Sequence, residues 1–378
     1  MKRSVMIVAS VSFVLFAQIA QAQWTSAKRL TSTGSHSQNP VIAIDSNNAL
    51  HVAFEDWGRI YYLRSTDGGA TWNTMKKLTF TPWMTSSPAI AIDSSNAIYI
   101  VLGESTAGNW QISYTKSTDG GKTWSTISRL NSTSGNAQGP AIAIDTGDTI
   151  HVAWTDDTSG NNDIYYARSK DGGATWSAAK RLSWTSGDSH QPGISIDSNN
   201  MIHVVWYVQT PGNGDVFYRH SADGGKTWSA QKGLTWTSGL SWNPDIAADS
   251  NSHLHIVLDD DTAGIAQIFY RRSTDGGTSW IPLKKLTWTP DASWAPAIAV
   301  APGNILHIAW ICYMSGSSEI YYKRSPDGGT TWDFAKRLTW TPGWSYYPDL
   351  AIDSNSTIHV VWQDDTVGNN EIYYKSGK

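Results

Sequence analysis

An internal repeat constrains this chain more than any other feature of its sequence. The segment Ser-Thr-Asp-Gly-Gly-Ala-Thr-Trp at residues 65–72 recurs five times in closely similar form, and its tryptophan returns every 52 residues. The six copies end at Trp72, Trp124, Trp176, Trp228, Trp280 and Trp332. A unit of this length cannot bury an apolar face alone, so the fixed period predicts an array of similar units packed against one another.

A second landmark, a proline followed by an apolar run, occurs seven times. These prolines are Pro40, Pro88, Pro140, Pro192, Pro244, Pro296 and Pro348. Residues 24–30 are similar to residues 72–78, whereas the last copy reaches Lys378 without such a segment. The N-terminal segment is therefore predicted to supply the strand that the last copy lacks, which closes a ring without an exposed sheet edge.

Each unit contains four predicted strands separated by Asn, Gly and Asp clusters. In the third copy these strands span residues 141–145, 149–154, 163–168 and 176–182, with Asp171-Gly172-Gly173 as the hairpin signal before the last of them. Four strands in each of seven units predict an all-β chain, a seven-bladed β-propeller of four-stranded antiparallel blades. Residues 23–378 are expected to form this single domain, with essentially no helix.

The repeated segment resembles the Asp-box, S-x-D-x-G-x-T-W, of the BNR repeats in sialidase-like propellers, and the resemblance spans residues 23–378. It implies that the motif lies on the turn between the third and fourth strands and serves folding rather than catalysis. The structural Asp-box residues are then Asp67, Asp119, Asp171, Asp223, Asp275 and Asp327, together with the six tryptophans named above. A motif present in every unit identifies the fold and says little about function.

Sialidase activity does not follow from the resemblance. Sialidases of this family have six blades, an Arg-Ile-Pro motif, three arginines that clamp the substrate carboxylate, a Tyr-Glu nucleophile pair and an Asp acid/base. This sequence has no Arg-Ile-Pro, and the arginines of residues 23–378 fall on predicted third and fourth strands except Arg59, which is expected in a loop. No catalytic residue is assigned, and the chain is expected to be non-catalytic.

Charge and cysteine content exclude further classes of function. The chain has 28 Lys+Arg, 32 Asp+Glu and a formal charge of −4, without the clustered basic residues that nucleic-acid binding needs. Its single cysteine, Cys312, can form neither an intramolecular disulfide nor a cysteine metal cage. We expect a monomer without cofactor, structural metal or nucleic-acid partner.

The first 22 residues are typical of a secretory signal peptide. Met1-Lys2-Arg3 is positively charged, residues 5–16 are mostly apolar, and Ala20-Gln21-Ala22 is a small-x-small cleavage pattern. The apolar run is shorter than the ~20 residues that a membrane-spanning helix needs. The mature chain is therefore expected to be secreted or periplasmic and not inserted in a membrane.

The loops that follow the fourth strand carry recurrent aromatic residues, and those between the second and third strands carry acids. Aromatic faces stack on sugar rings while carboxylates bind hydroxyls, so this combination favours a carbohydrate or glycoconjugate ligand. The predicted ligand-binding residues are Trp184, His190, Trp236, Trp242, Trp288, Trp294, Trp340, Tyr346, Asp156, Asp157, Asp260 and Asp364. Tryptophans that wedge between blades are the competing interpretation.

Two other functions remain open at this stage. A glycoside hydrolase could place two carboxylates at the central channel, and its candidates are Asp156, Asp157, Asp259, Asp260, Asp364 and Asp365. A protein-binding scaffold of the cell envelope could use the tryptophan-rich face as an interface. The recurrent strand histidines, such as His51, are expected to form buried hydrogen bonds, and residues 259–261 to be a solvated acidic loop rather than a Ca²⁺ site.

Overall fold

The computed structural model describes residues 23–80, 84–106, 108–314 and 316–378. They form seven four-stranded antiparallel sheets whose first strands contact one another in a closed ring. The predicted seven-bladed propeller is therefore confirmed. The predicted signal peptide lies outside the described residues.

The blades are numbered 1 to 7 in the order of their first strands. Blades 1 to 6 each contain four strands that follow one another in sequence, and blade 7 contains the last three strands of the chain and the first. The strands are β1 (Lys28–Arg29), β2 (Ser37–Ile44), β3 (Leu50–Asp56), β4 (Arg59–Ser65), β5 (Lys76–Lys77), β6 (Thr85–Ile92), β7 (Ile98–Thr106), β8 (Asn109–Ser117), β9 (Ser128–Arg129), β10 (Ala137–Ile144), β11 (Ile150–Asp156), β12 (Asp163–Ser169), β13 (Lys180–Arg181), β14 (Asp188–Ile196), β15 (Ile202–Thr210), β16 (Asn213–Ser221), β17 (Lys232–Gly233), β18 (Ser241–Ala248), β19 (Leu254–Asp260), β20 (Gln267–Ser273), β21 (Lys284–Lys285), β22 (Ser293–Ala301), β23 (Ile305–Met314), β24 (Ser317–Ser325), β25 (Lys336–Arg337), β26 (Ser345–Ile352), β27 (Ile358–Asp364) and β28 (Glu371–Gly377). No helix in the described part of the chain is long and apolar enough to cross a membrane.

The core lies between neighbouring blades. The second strands are apolar on both faces, and every residue of β3, β11, β19 and β27 is buried. A large side chain of each second strand fills the gap toward its neighbour, as Trp154 of blade 3 does against Val101 and Tyr114 of blade 2. Burying such a side chain is worth about 2–3 kcal/mol, so repetition of this contact stabilises the ring.

The N-terminal strand completes blade 7, as the sequence predicts. β1 pairs with β28 through Lys28 opposite Tyr374 and Arg29 opposite Tyr373. Trp24 bridges to Gly377, and its ring packs edge-on against Tyr322 of blade 6 at 5.0 Å. Trp24 thus takes the place that an Asp-box tryptophan occupies in the other blades.

The fourth strands are shorter than the sequence predicts. In blade 3, residues 176–179 are not in a strand, and β13 contains only Lys180 and Arg181. Trp176 leaves the ladder because its ring packs against Tyr114 of the preceding blade, at 5.5 Å between centroids. The first strand of this blade, β10, begins at Ala137, four residues before its predicted start. Arg59, expected in a loop, is the first residue of β4 because the preceding turn is only Trp57-Gly58.

The Asp-box carboxylates hold their own turns. Asp67 accepts hydrogen bonds from the Thr71 amide at 2.8 Å, the Thr71 hydroxyl at 2.5 Å and the Ser65 hydroxyl at 2.8 Å. The bonds from Thr71 lower the pKa of Asp67 to about 2. The same bonds recur in the other Asp-boxes, with Ser279 replacing threonine at Asp275. The motif therefore fixes the turn, as the resemblance implies.

The strand histidines form buried hydrogen bonds, as expected. In blade 5, Nδ1 of His255 lies 2.8 Å from the Tyr270 hydroxyl, and Nε2 lies 3.2 Å from Asp249. Blade 6 has Ala301 where the other blades carry this aspartate, so burial lowers the pKa of His307 to about 3 without a carboxylate to oppose it. The described residues contain no group of three or more His, Cys, Asp or Glu side chains that could hold a metal ion.

The ring has two faces of different construction. The Asp-boxes and the turns between first and second strands lie on one face, here called the Asp-box face. Its turns join neighbouring blades, for example where Asn96 accepts a hydrogen bond from the Ser46 amide at 3.0 Å. The loops between second and third strands and those between blades form the opposite side, here called the loop face.

Candidate functional site

The first aromatic residue of each predicted pair lies at the outer rim of the loop face. These side chains are exposed, at 58% for Trp184, 76% for Trp236, 71% for Trp288 and 65% for Trp340. Trp184 illustrates their setting, because its ring lies 5.0 Å from the Arg219 guanidinium of the next blade and 5.9 Å from that of Arg181. They lie in the grooves between blades, with most of each ring open.

The second aromatic residue of each pair lies at the other end of the loop. His190, Trp242, Trp294 and Tyr346 belong to the first strands, near the channel. His190 packs against Tyr207 of its own blade at 5.4 Å, whereas the ring of Trp184 lies beside Arg181 and Arg219. The two aromatic sets therefore belong to separate surfaces, and the loop does not bring them together as a pair.

The predicted acids of the second strands are buried within the blades. Asp156, Asp260 and Asp364 have no exposed surface. Asp364 accepts hydrogen bonds from the Thr366 amide at 2.9 Å and from the Ser345 hydroxyl at 2.7 Å. These bonds connect the loop after the second strand to the start of the first strand. A ligand could therefore reach the carboxylates only by breaking these hydrogen bonds.

The next acid in each of these loops makes a second set of hydrogen bonds to the segment at the start of the first strand. Asp157 accepts hydrogen bonds from the Asn136 amide at 2.6 Å and from the Asn136 side chain at 2.9 Å. Asp261 and Asp365 accept equivalent bonds from the Leu240 and Trp344 amides. Asp259 and Asp260 are buried, so residues 259–261 are not the solvated loop that the sequence suggests.

The first strands line a central cavity of about 530 Å³. Every first strand has a register irregularity just before its proline, and the residue there has a positive φ in all seven blades. These residues are Asn39, Ser87, Gly139, Gln191, Asn243, Ala295 and Tyr347. Tyr347 is the bulkiest of them, and a bulky residue at φ 49° is an outlier of the kind found at functional sites.

Two carboxylates face this cavity. Within the described chain, Asp245 and Asp349 are the only acidic residues that line it. Asp349 accepts hydrogen bonds from the amides of Leu350 and, across the blade boundary, Ile42, at 2.9 and 2.8 Å. Burial raises the pKa of Asp245 to about 6 and that of Asp349 to about 7, and the charge of Asp245 adds to the latter. Both carboxyl groups can therefore exchange protons near neutral pH.

A third carboxyl group lies behind the mouth of the cavity. Asp259 accepts hydrogen bonds from the Asn243 side chain at 2.8 Å and from the Ala295 amide at 2.9 Å. Burial raises its pKa to about 7. Asp259 thereby supports Asn243 and Ala295, which both line the cavity.

Four aromatic rings of blades 6 and 7 follow one another on the loop face and end at the cavity with Tyr347; they are here called the mouth cluster. Tyr313 lies 5.6 Å from Trp344, Trp344 lies 5.8 Å from Tyr346, and Tyr346 lies 6.2 Å from Tyr347. Tyr347 is 53% exposed and also lines the cavity, whereas the other three are half-buried. Blades 6 and 7 thus offer a run of aromatic rings that reaches the cavity, and its carboxylates, at Tyr347.

Sequence reasoning found Tyr346 and missed its neighbours. Trp344 and Tyr347 flank Tyr346, but neither recurs at the equivalent positions of other blades, so a search for repeated residues passes over them. Asp245 and Asp349 were hidden within the proline landmark, where the residue after proline is Val, Ala or Gly in the other five blades. Departures from the repeat were the signal that could have found them.

Comparison with known proteins gives a family and a set of similar folds. A family model described as "BNR repeat-like domain" matches residues 136–360, and one described as "BNR repeat-containing family member" matches residues 13–191. A search of curated proteins found no match.

Among solved structures, a polysaccharide lyase, ulvan lyase, is 14% identical with a TM-score of 0.66, covering 90% of this chain and 93% of its own. A leech intramolecular trans-sialidase is 12% identical with a TM-score of 0.53, covering 93% and 70%. An α-L-arabinofuranosidase from Fusarium graminearum is 16% identical with a TM-score of 0.56, covering 76% and 92%. At these identities the likeness shows the fold.

Proposed function

Because this chain belongs to the BNR repeat-like domain family, which fixes its fold and leaves its activity open, we propose that it binds a saccharide at the mouth of the central cavity without cleaving it. The observation that carries the proposal is the mouth cluster beside Asp245 and Asp349. Aromatic rings stack on the C–H face of a sugar, and carboxylates accept hydrogen bonds from its hydroxyls.

The position of Tyr347 supports this site over the other aromatic residues of the loop face. This position has a positive φ in every blade, which costs about 1–2 kcal/mol for a non-glycine residue. Asn or Gly, which tolerate it, occupy the position in three of the other blades, and an aromatic residue occupies it only in blade 7. The side chain is half exposed and makes its ring contact with Tyr346. A strained and exposed tyrosine that lines a cavity is better explained by ligand contact than by packing.

The similar structures agree with a saccharide ligand. The proteins that share this fold include a polysaccharide lyase, a trans-sialidase and an arabinofuranosidase, each of which acts on a carbohydrate by its name. The cavity of this chain is lined by no Arg or Lys among its described residues, so it lacks the cationic clamp that a sialic acid carboxylate would need. We therefore propose a neutral sugar unit in the cavity. We also propose that the protein acts as an exported monomer.

A second candidate function is glycoside hydrolysis by the channel carboxylates. The specific observation is the raised pKa of Asp245 and Asp349, since a protonated and an ionised carboxyl group in one cavity can act as general acid and base. Every oxygen of these two groups accepts a backbone amide, which fixes them for binding and leaves less freedom for proton transfer to a substrate. For that reason we propose saccharide binding, rather than hydrolysis, as the main function.

The test is a glycan array probed with the whole mature protein, the Tyr346→Ala/Tyr347→Ala variant and a Phe80→Ala control. Phe80 is an exposed rim residue away from the cavity. We expect the double variant to lose the signal for neutral glycans and the control to keep it. Equal signals from all three proteins would contradict the proposed site.

Catalysis is tested on the same glycans by chromatography after long incubation. Under the binding proposal the glycans are recovered intact. New reducing ends that disappear with Asp245→Asn or Asp349→Asn would instead establish the hydrolase.

A further inference from the structure

Four cations occupy one equivalent position in the third strands of blades 4 to 7. They are Arg219, Arg271, Lys323 and Lys375, and the equivalent residues in blades 1 to 3 are Leu63, Thr115 and Ala167. None of the four forms an ion pair within the described chain; each donates to backbone carbonyls instead. Burial lowers the pKa of all four, which means that the surroundings disfavour their charge.

Three of these cations lie beside an exposed tryptophan of the preceding blade. The distances from charged group to ring centroid are 5.0 Å for Arg219 and Trp184, 5.6 Å for Lys323 and Trp288, and 5.5 Å for Lys375 and Trp340. The three tryptophans are among the most exposed large apolar side chains of the described residues. We call these three tryptophan-cation pairs the rim grooves. Two of the grooves contain a second guanidinium, that of Arg181 at 5.9 Å from Trp184 and that of Arg337 at 5.7 Å from Trp340. Each of these is already paired with a buried carboxylate, at 2.6 Å, so every groove combines an exposed ring with one cation that has no acidic partner.

The two lysines have unused hydrogen-bonding capacity. Lys323 and Lys375 are each 8% exposed, and each ammonium donates to a single backbone carbonyl, that of Leu286 at 2.8 Å and that of Leu338 at 2.7 Å. An ammonium group has three donors, and buried lysines are normally paired with an acid. Contact with the indole rings offsets part of the free-energy cost of burying the two ammonium groups. An anion from outside the chain would satisfy the remaining donors.

We infer that the rim grooves bind acidic sugar units of a polysaccharide, with the sugar ring on the indole and its carboxylate or sulfate ester on the cation. One exposed ring and one cation without an acidic partner per groove fit a saccharide with one acidic group per unit. Two of the grooves lie at neighbouring blade boundaries, between blades 5 and 6 and between blades 6 and 7, so one polymer can occupy both and gain avidity. This surface is separate from the cavity and does not depend on the function proposed there.

The experiment measures binding of the mature protein to polygalacturonate, dextran sulfate, neutral dextran and single-stranded DNA at fixed salt. We expect binding to at least one acidic polysaccharide, at least tenfold weaker binding to dextran, and weakening as salt rises. Polygalacturonate and dextran sulfate separate the carboxylate source from the sulfate source. No binding to either polymer, or equal binding of DNA, would overturn the inference.

Two variants with matched controls locate the surface. Lys323→Met/Lys375→Met is compared with Lys122→Met/Lys226→Met, which removes the same charge from exposed lysines outside the rim grooves. Trp288→Ala/Trp340→Ala is compared with Phe334→Ala, since Phe334 is an exposed aromatic residue that belongs to no rim groove. We expect each groove variant to weaken polymer binding at least tenfold and each control less than twofold. Equal effects of variant and control would overturn the inference.

The cavity variant separates this inference from the proposed function. Tyr346→Ala/Tyr347→Ala should leave binding of the acidic polymer within twofold of wild type. If that variant abolishes polymer binding while the groove variants do not, the polymer binds at the cavity and the rim inference is wrong. Thermal unfolding of every variant checks the fold, and the comparison of acidic with neutral polymer needs only the wild-type protein.

Discussion

The two faces of the ring keep the sevenfold repeat to different degrees. On the Asp-box face, each described copy of the motif makes the same carboxylate bonds, and neighbouring turns are joined by similar hydrogen bonds. On the loop face, the mouth cluster and the channel carboxylates each occur in only some blades. Uniform residues therefore mark the parts that hold the ring together, and departures from uniformity mark the parts available for a ligand.

The largest expected effect tests this difference with two glycines of positive φ. A Cβ on Gly121, in an Asp-box, would lie 2.1 Å from the Tyr62 hydroxyl, whereas one on Gly160, in a loop-face turn, would meet nothing within 4 Å. We expect Gly121→Ala to lower the free energy of unfolding by about 2–4 kcal/mol and Gly160→Ala by about 1 kcal/mol. Denaturant unfolding measures both. Equal losses would mean that the Asp-box face is no more tightly packed than the loop face.

A smaller effect is expected where the loop face departs from the repeat. Replacing Tyr347 by Asn, the residue at the equivalent position of blade 1, should weaken glycan binding about tenfold. Asn tolerates the positive φ, so the free energy of unfolding should stay the same or rise by a few tenths of a kcal/mol. Titration with a glycan identified on the array, together with thermal unfolding, measures both quantities. A loss of stability without a loss of binding would make Tyr347 a structural residue.

The smallest expected effect is the change of the free energy of unfolding with pH. The carboxylates of the Asp-box face and those of the channel change it in opposite directions. The pKa of Asp67 is lowered, so its contribution to stability is present above its ordinary pKa of 3.8 and is lost as pH falls toward about 2. The pKa values of Asp245 and Asp349 are raised, so the folded chain holds protons that the unfolded chain releases. Stability from these two groups therefore falls as pH rises from about 4 to about 7.

Asp245→Asn/Asp349→Asn should flatten the alkaline side of this profile. Taken at full size, the two pKa shifts correspond to a loss of about 4 kcal/mol between pH 5 and pH 8. Because both residues are only partly buried, screening by solvent reduces this loss, and we expect the wild-type free energy of unfolding to fall by about 1 kcal/mol. The variant should lose part of that slope, since Asp259 keeps its own raised pKa. The variant gives up one hydrogen-bond acceptor at each site, so its absolute stability is lower at pH 5. Unfolding at several pH values measures the slope, and an unchanged slope would contradict the raised pKa values.

The sequence predicted the fold because the fold depends on repeated local contacts. Asp67 bonds to residues within four positions, so its motif can be recognised without knowledge of the tertiary structure. The site depends on how far each residue lies from the ring axis, which the spacing of residues does not reveal. Trp184 and His190 are six positions apart, yet one lies at the rim and the other near the channel. The buried bonds of Asp364 likewise depend on Thr366 and Ser345, which the composition of the loop does not indicate.

The closure of blade 7 brings the two ends of the described chain together. The Gln23 amide donates to the Lys378 carbonyl at 2.8 Å, and the Thr25 amide donates to the Ser376 carbonyl at 2.8 Å. A short peptide linker could therefore join these ends, and the backbone could be opened in a loop elsewhere on the ring. Such circular permutants would keep every blade contact, so the position of the chain break is a property of the gene rather than of the folded ring.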